Sequence, residues 1–145
     1  MTEFSIIKKV WLHIVLQTNN RLPLILPEME KDVYATLREC CKNVSLQVSE
    51  IGGTPDHIHL LVLDEDKSSV SFNVQSFALE SAAVINEKHF KAGSFAWHSQ
   101  VYVYSVSHSQ AQKVGEYIAN QKEIHKTRNS KKEIEEFAAL HQLNG

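Results

Sequence analysis

The sequence predicts an α+β domain of ferredoxin-like type, a split β-α-β arrangement with an antiparallel sheet, helices on one face and an extra C-terminal helix. Three observations lead there. Segments rich in β-branched and aromatic residues alternate with amphipathic segments in the order β-α-β-β-α-β-α. Two β-α-β halves of this kind close into one split sheet. No internal repeat, low-complexity tract or Pro/Gly linker interrupts the pattern, so residues 1–145 read as a single domain with a basic segment and short helix at about 122–145.

Each element has its own justification. Lys9–Gln17 (KVWLHIVLQ) is β-branched and aromatic and reads as a strand. Thr18–Pro27, with Asn-Asn and two prolines, reads as a loop. Glu28–Asn43 places Met29, Val33, Leu37 and Cys40/Cys41 at three-to-four spacing, the stripe of a helix. Val44–Ile51 alternates Val44, Leu46 and Val48 on one side, so it is a strand; Gly52–Asp56 is a turn. His57–Leu63 (HIHLLVL) is a buried strand, and Asp64–Lys67 a charged turn. Ser68 or Ser69 caps a helix running to about Lys88, with Val70, Val74, Phe77, Ala78 and Val84/Ile85 buried. His89–Ser99 is irregular, with an extended piece at Phe95–Trp97. Val101–Val106 is a strand, and Ser107 or Ser109 caps a helix from about Gln110 to Lys126. A last short helix falls around Glu133–Leu140.

Composition removes several classes. Of 145 residues, 43% are hydrophobic and 22% charged, which is ordinary for a globular chain and unlike a disordered one. The apolar run Ile58–Leu63 is far short of the ~20 residues needed to span a bilayer. Met1–Lys9 is not followed by the apolar core and small-residue cleavage site of a secretory signal. Cys40 and Cys41 are helix neighbours that do not face each other, and no Cys-x-x-Cys occurs, so neither a disulfide framework nor a zinc knuckle is expected. A cytoplasmic, reduced protein follows. The net charge of −2 argues against a generic nucleic-acid binder held by bulk positive charge.

Two patterns carry chemistry. The first is Asp56-His57-Ile58-His59, directly after Gly-Gly-Thr-Pro. Residues two apart on a strand share a face, so His57 and His59 present adjacent imidazoles while Ile58 turns to the packed side. Two neutral imidazoles at that spacing can chelate a divalent cation. The pattern is short, and a strand with two histidines that bind nothing fits it equally well. The second is Tyr117-Ile118-Ala119-Asn120-Gln121, where Tyr117 and Gln121 are i, i+4 on one helix face. Tyr is a known covalent nucleophile, though weak without a nearby positive charge. Taken alone, a helix Tyr is more often a packing residue.

Together the patterns resemble the insertion-sequence-200-like transposases, a family of single-tyrosine enzymes with a His-apolar-His signature. Gly52–Val62 matches that signature. Val10–Val15 with Thr18–Arg21 and Pro23–Ile25 is similar to the family's first strand and loop. Phe95–Trp97, Tyr104–Ser107, Lys113-Val114 and Tyr117–Gln121 resemble its C-terminal half, so the likeness covers nearly the whole chain in order.

The resemblance implies a transposase acting on single-stranded DNA with hairpin ends. It implies His57, His59 and Gln121 as metal ligands, Mg²⁺ or Mn²⁺ as the ion, and Tyr117 as nucleophile. Attack at the element end gives a 5′-phosphotyrosine and a free 3′-OH, and reverse attack rejoins the strands. The energy of the broken bond is kept, so no ATP is needed and no nucleotide-binding motif is expected. The family works as homodimers, commonly with composite sites in which Tyr117 of one subunit faces the His pair of the other. The physical reading of the ligands agrees: two imidazoles and an amide oxygen leave about three octahedral positions for phosphate oxygens and water. Asp56 is expected first as a turn residue and second as a support for the histidines.

The sequence departs from the family in places. The helix segment Val74–Glu80 lacks the usual Lys. Ile124 replaces the first of two histidines after Gln121, and His125 keeps the second. Gln100-Val101-Tyr102 stands where a Gly-Tyr-Gly-like segment is usual. An alternative therefore stays open, a domesticated or inactive homologue that binds DNA hairpins without transposing. Two other readings fail. A histidine-triad hydrolase needs a third His where Leu61 stands. A two-histidine phosphoesterase needs a second His-x-Thr/Ser motif, which His98-Ser99-Gln100 and His108-Ser109-Gln110 do not supply.

Charge placement qualifies the bulk value. Residues 43–121 hold four Lys+Arg and eight Asp+Glu; residues 122–132 hold Lys122, Lys126, Arg128, Lys131 and Lys132 against Glu123 alone. Arg21, Lys122, His125, Lys126 and Arg128 are the candidate DNA contacts, each neutralised phosphate adding salt dependence. The same charges also suit a solvated helix end. Trp11, Trp97, Tyr102 and Tyr104 can stack on bases, though packing roles suit them as well.

Overall fold

The structure is a computed structural model that describes residues 3–5, 9–64 and 70–124. Its elements are β1 (Val10–Gln17), α1 (Pro27–Lys42), β2 (Leu46–Thr54), β3 (His57–Asp64), α2 (Val70–His89), β4 (Tyr102–Val106), α3 (Ala111–Ala119) and α4 (Gln121–Ile124), with one-turn 3₁₀ segments at Asn19–Arg21 and His108–Gln110. The sheet order is β2-β3-β1-β4 with every neighbouring pair antiparallel. This is the α+β, ferredoxin-like split sheet that the element order predicts. The short helix expected at Glu133–Leu140 lies outside the described residues.

Alternation along β1 and β3 divides the domain. Leu12, Ile14 and Leu16, with Ile58, Leu60 and Val62, face one side and are buried under α1 and α2. Helix α1 starts with Pro27 in its first turn, where the missing N–H costs nothing. It buries Met29, Val33, Thr36, Leu37, Cys40 and Cys41, the predicted stripe plus one threonine. Helix α2 buries Val74, Phe77 and Ile85, together with Asn73 and Ser81. Ser81 accepts a hydrogen bond from Trp97 Nε1 at 3.0 Å, which ties the 95–98 segment to α2. Backbone bonds from His98 N to Gln17 O and from Asn19 N to Ala96 O dock that segment beside the end of β1.

The two helices of the split β-α-β units lie on one face, as expected. Helix α3 crosses the other face, where Ile118 and Ala111 pack with Leu61 and Val106. Two local features make this crossing possible. A β-bulge between Val48 and Glu50 shifts the register of β2 against β3, so that Ile51 faces the α1/α2 core and Gly52 faces α3. A Cβ at Gly52 would lie 2.1 Å from the carbonyl oxygen of Ile118. Only glycine lets the helix backbone rest directly on the strand.

Three boundaries differ from the sequence reading by two residues or more. Strand β2 continues through Gly52 and Gly53 to Thr54, and the turn shrinks to Pro55-Asp56. The glycines are ladder members under a helix, where a sequence signal reads them as a turn. The helix predicted over Gln110–Lys126 is broken at Asn120, which adopts φ −99°, ψ 20° and sends its N–H to Glu116 O and Tyr117 O. Asn competes poorly for helix interiors, and a second helix, α4, restarts at Gln121. Strand β2 begins at Leu46, two residues late, because Ser45 takes a left-handed turn at φ 58°.

Candidate active site

The sheet face under α3 carries the predicted polar residues. His57 and His59 are both fully buried on β3, with ring centroids 5.1 Å apart and planes at 76°. They sit opposite Gln17 and Val15 on β1, and opposite Thr54 and Gly52 on β2.

The ring orientation of His57 is set locally. Its Nδ1 lies 2.7 Å from Asp56 Oδ1 and 2.9 Å from Thr54 Oγ1, and the Thr54 hydroxyl donates to the same carboxylate oxygen at 3.0 Å. An ionised carboxylate only accepts, so the proton rests on His57 Nδ1 and the lone pair on Nε2. Asp56 is thus more than a turn residue: it supports the imidazole, the second of the two roles expected for it.

His59 is oriented by a different partner. His13 Nε2 lies 2.7 Å from His59 Nδ1, and the two rings meet edge to edge, with centroids 5.0 Å apart and planes 26° apart. His13 is also fully buried. It is the cross-strand neighbour of Tyr104 on β4, whose ring centroid is 5.9 Å away and whose phenol burial holds above its ordinary pKa, with Tyr102 adding to the effect.

Tyr117 arrives from α3. Its half-buried ring meets His59 of the same chain edge-on, at 5.9 Å between centroids and 82° between planes. Gln121, at the start of α4, is 1% exposed. Its Nε2 donates to Tyr117 O at 3.4 Å, which holds it to the last turn of α3 in spite of the break at Asn120. It lines a cleft together with Gly52 and Gly53, the strand partners of His59 and Ile58. The Oε1 of Gln121 is buried and takes no hydrogen bond among the described residues. No group of three or more His, Cys, Asp or Glu side chains among the described residues is arranged to hold a metal. The donor set to weigh is two imidazole Nε2 atoms and one amide oxygen, all buried.

The remaining candidates separate. Arg21 is exposed in the loop after β1, and its Nε donates to Gln17 Oε1 at 3.2 Å. Gln17 is itself buried and pairs with His57, so the guanidinium is anchored one residue from the histidines. Asn20 and Arg21 both hold left-handed backbone, φ 57° and 53°, to turn the chain there. Lys122 is exposed and ion-paired with Glu30 of α1. His125, Lys126 and Arg128 lie outside the described residues. Trp97 packs in the core against Phe95, while Trp11 Nε1 donates to His108 Nδ1 at 2.9 Å. Sequence reasoning missed His13 and Gln17. The available signal was two polar residues at alternate positions of the otherwise apolar β1.

A larger cavity, of 600 Å³, lies between α2 and the 97–103 segment, on the far side of the sheet from the histidines. Its lining is mostly aliphatic and offers no paired titratable groups.

The family model described as "Transposase IS200 like" matches residues 6–121, and the chain belongs to that family. Among solved structures, a putative transposase from Deinococcus radiodurans R1 is similar at 20% identity and a TM-score of 0.66, over 83% of this chain and 97% of that one. A REP-associated tyrosine transposase bound to a REP hairpin is similar at 12% identity and a TM-score of 0.59, over 83% of this chain and 72% of that one. At these identities the likeness is one of fold. The search of curated proteins gives no match. No helix among the described residues is long and apolar enough to cross a membrane.

Proposed function

We propose that this transposase breaks and rejoins single-stranded DNA at hairpin-bearing ends, with Tyr117 as the nucleophile. The observation that carries this reading is the Tyr117 ring set edge-on against His59, beside a second buried imidazole at 5.1 Å. Family membership supports the reaction class.

His57, His59 and Gln121 are the residues that would hold Mg²⁺ or Mn²⁺. Their fit rests on the buried amide oxygen of Gln121 and on the lone pair that Asp56 fixes on His57 Nε2. The bound ion would neutralise charge on the scissile phosphate. The chain's own residues do the rest. The Tyr117 oxygen forms a bond to phosphorus as the bond to the 3′ oxygen breaks. The phenol gives up its proton, and the departing oxygen gains one to become a free 3′-OH. Rejoining is the reverse attack by a 3′-OH, which returns the phenol. No nucleotide cofactor enters.

Arg21 is one proposed DNA contact, held by Gln17 at the strand position opposite His57. Lys122, His125, Lys126 and Arg128 are the further proposed contacts, Lys122 exchanging Glu30 for phosphate. The hairpin in the REP-associated neighbour favours a hairpin as the bound form of DNA here. A cytoplasmic homodimer is proposed from the family pattern. In the single chain Tyr117 already meets its own His59, so a composite site would require α3 to exchange between subunits.

The test is incubation with single-stranded hairpin DNA from the flanks of the coding sequence plus Mg²⁺ or Mn²⁺. A denaturation-resistant protein–DNA adduct mapping to Tyr117 is expected, absent in Tyr117→Phe. Hairpin binding without any adduct in the wild type would instead favour a binding protein that does not transpose.

A further inference from the structure

We infer that His13 is a positioning residue: by accepting the Nδ1 proton of His59 it selects the tautomer in which His59 Nε2 can ligate a metal. The inference rests on the proposed metal role of the His pair. The two histidines are supported differently. His57 has a carboxylate partner, so its proton position is settled by Asp56. His59 has another imidazole, with 2.7 Å between Nδ1 and His13 Nε2. Two neutral imidazoles can pair in either sense, each keeping its own proton, with His13 protonated on Nδ1 when it accepts and on Nε2 when it donates. If His59 donates, its Nε2 carries a lone pair and can bind a cation. If His13 donates, His59 Nε2 carries a proton and cannot.

The geometry holds both rings in place for this choice. Each is fully buried, their planes lie 26° apart, and His13 is flanked by Tyr104 on β4. A second imidazole is a weaker acceptor than a carboxylate. A cation arriving at Nε2 therefore draws the proton to the Nδ1 side, and the pair becomes competent as it is occupied. Partners of this kind to metal-binding histidines typically govern ten- to hundredfold in affinity.

The experiment compares wild type, His13→Leu and His13→Gln in the full chain. A carboxamide at position 13 can turn its oxygen to accept from His59 Nδ1, whereas Leu fills the space and accepts nothing. Mn²⁺ affinity is measured by calorimetry without DNA, and the ring nitrogens of His59 are read by ¹⁵N NMR in saturating Mg²⁺. Expected are a dissociation constant raised about ten- to hundredfold in His13→Leu, return of most of the affinity in His13→Gln, and a protonated Nδ1 on His59 in the wild type. Unchanged affinity in His13→Leu overturns the inference and leaves the proposed function standing; a protonated Nε2 on His59 with Mg²⁺ bound overturns the inference and removes His59 from the proposed ligands. Absence of Mn²⁺ binding by the wild type overturns both. If His13→Leu fails to fold, affinity in His13→Gln and the wild-type NMR signature still decide it.

Discussion

The two faces of the sheet are built from the same strands yet obey different rules. On the α1/α2 face, Ile14, Leu16, Ile58 and Leu60 are buried among aliphatic side chains and make the core. On the α3 face, alternate positions of the same strands bury His13, Gln17, His57 and His59. Burying polar groups costs free energy unless each finds a partner. The second face meets that demand with a chain of contacts from Thr54 and Asp56 to His57 and from His13 to His59. Stability and chemistry are thereby separated by one residue of register.

Adjacent residues on β3 give the sharpest way to break the comparison. His57→Ala should lower adduct formation by about a thousandfold or more, as loss of several kcal/mol of charge stabilisation requires. Hairpin binding should persist, read by gel shift. Equal loss of cleavage and binding would make the His pair structural. Ile58→Ala, one residue on, should instead lower unfolding free energy by about 2–5 kcal/mol in urea melts. Its remaining folded fraction should still form adduct. If both variants lose stability alike, the faces are not separable.

The join between α3 and the sheet is the next test. Gly52→Ala places a methyl 2.1 Å from the carbonyl oxygen of Ile118, so α3 must shift. Overpacking of this kind costs about 1–3 kcal/mol. Adduct formation should fall further than stability, since the same shift moves Tyr117 from His59. Gly115→Ala sits at the same junction with its nearest neighbour, Leu61 Cδ2, at 3.6 Å, an ordinary contact. It should stabilise by about 0.5–1 kcal/mol through helix propensity, in the same urea assay. Opposite signs at one interface would show that close approach at Gly52 is the controlling distance.

What the sequence made legible follows from the same division. β-branched and aromatic composition exposed β1, a continuous apolar run exposed β3, and the three-to-four stripe exposed α1, because burial leaves its mark on local composition and periodicity. The site residues His57, His59, Tyr117 and Gln121 were legible as motifs. Their supports were not. His13 reaches His59 diagonally across strands, through a register no local pattern specifies. The Gly-Gly pair reads as a turn because only the tertiary approach of α3 makes it a strand. Burial pushes the Cys40 and Cys41 thiols up to about 11 and about 12, far from thiolate chemistry at neutral pH.

The smallest expected effect concerns how the site meets its substrate in a chain of net charge −2. Arg21 is a surface residue, yet it is held in left-handed backbone and tied to Gln17 beside His57. A bulky residue in that conformation costs roughly 1–2 kcal/mol, an expense that persists where a direction must be fixed. Arg21→Ala should therefore leave folding unchanged or slightly improved in thermal melts. Hairpin affinity should fall several-fold, with the slope of log K against log salt reduced by about one. Arg21→Lys should recover the slope but not the full affinity, because an ammonium cannot repeat the guanidinium's planar bond to Gln17. Full affinity in Arg21→Ala would place the DNA track elsewhere on this face. The buried polar layer would then reach the phosphate only through Tyr117 and the histidines.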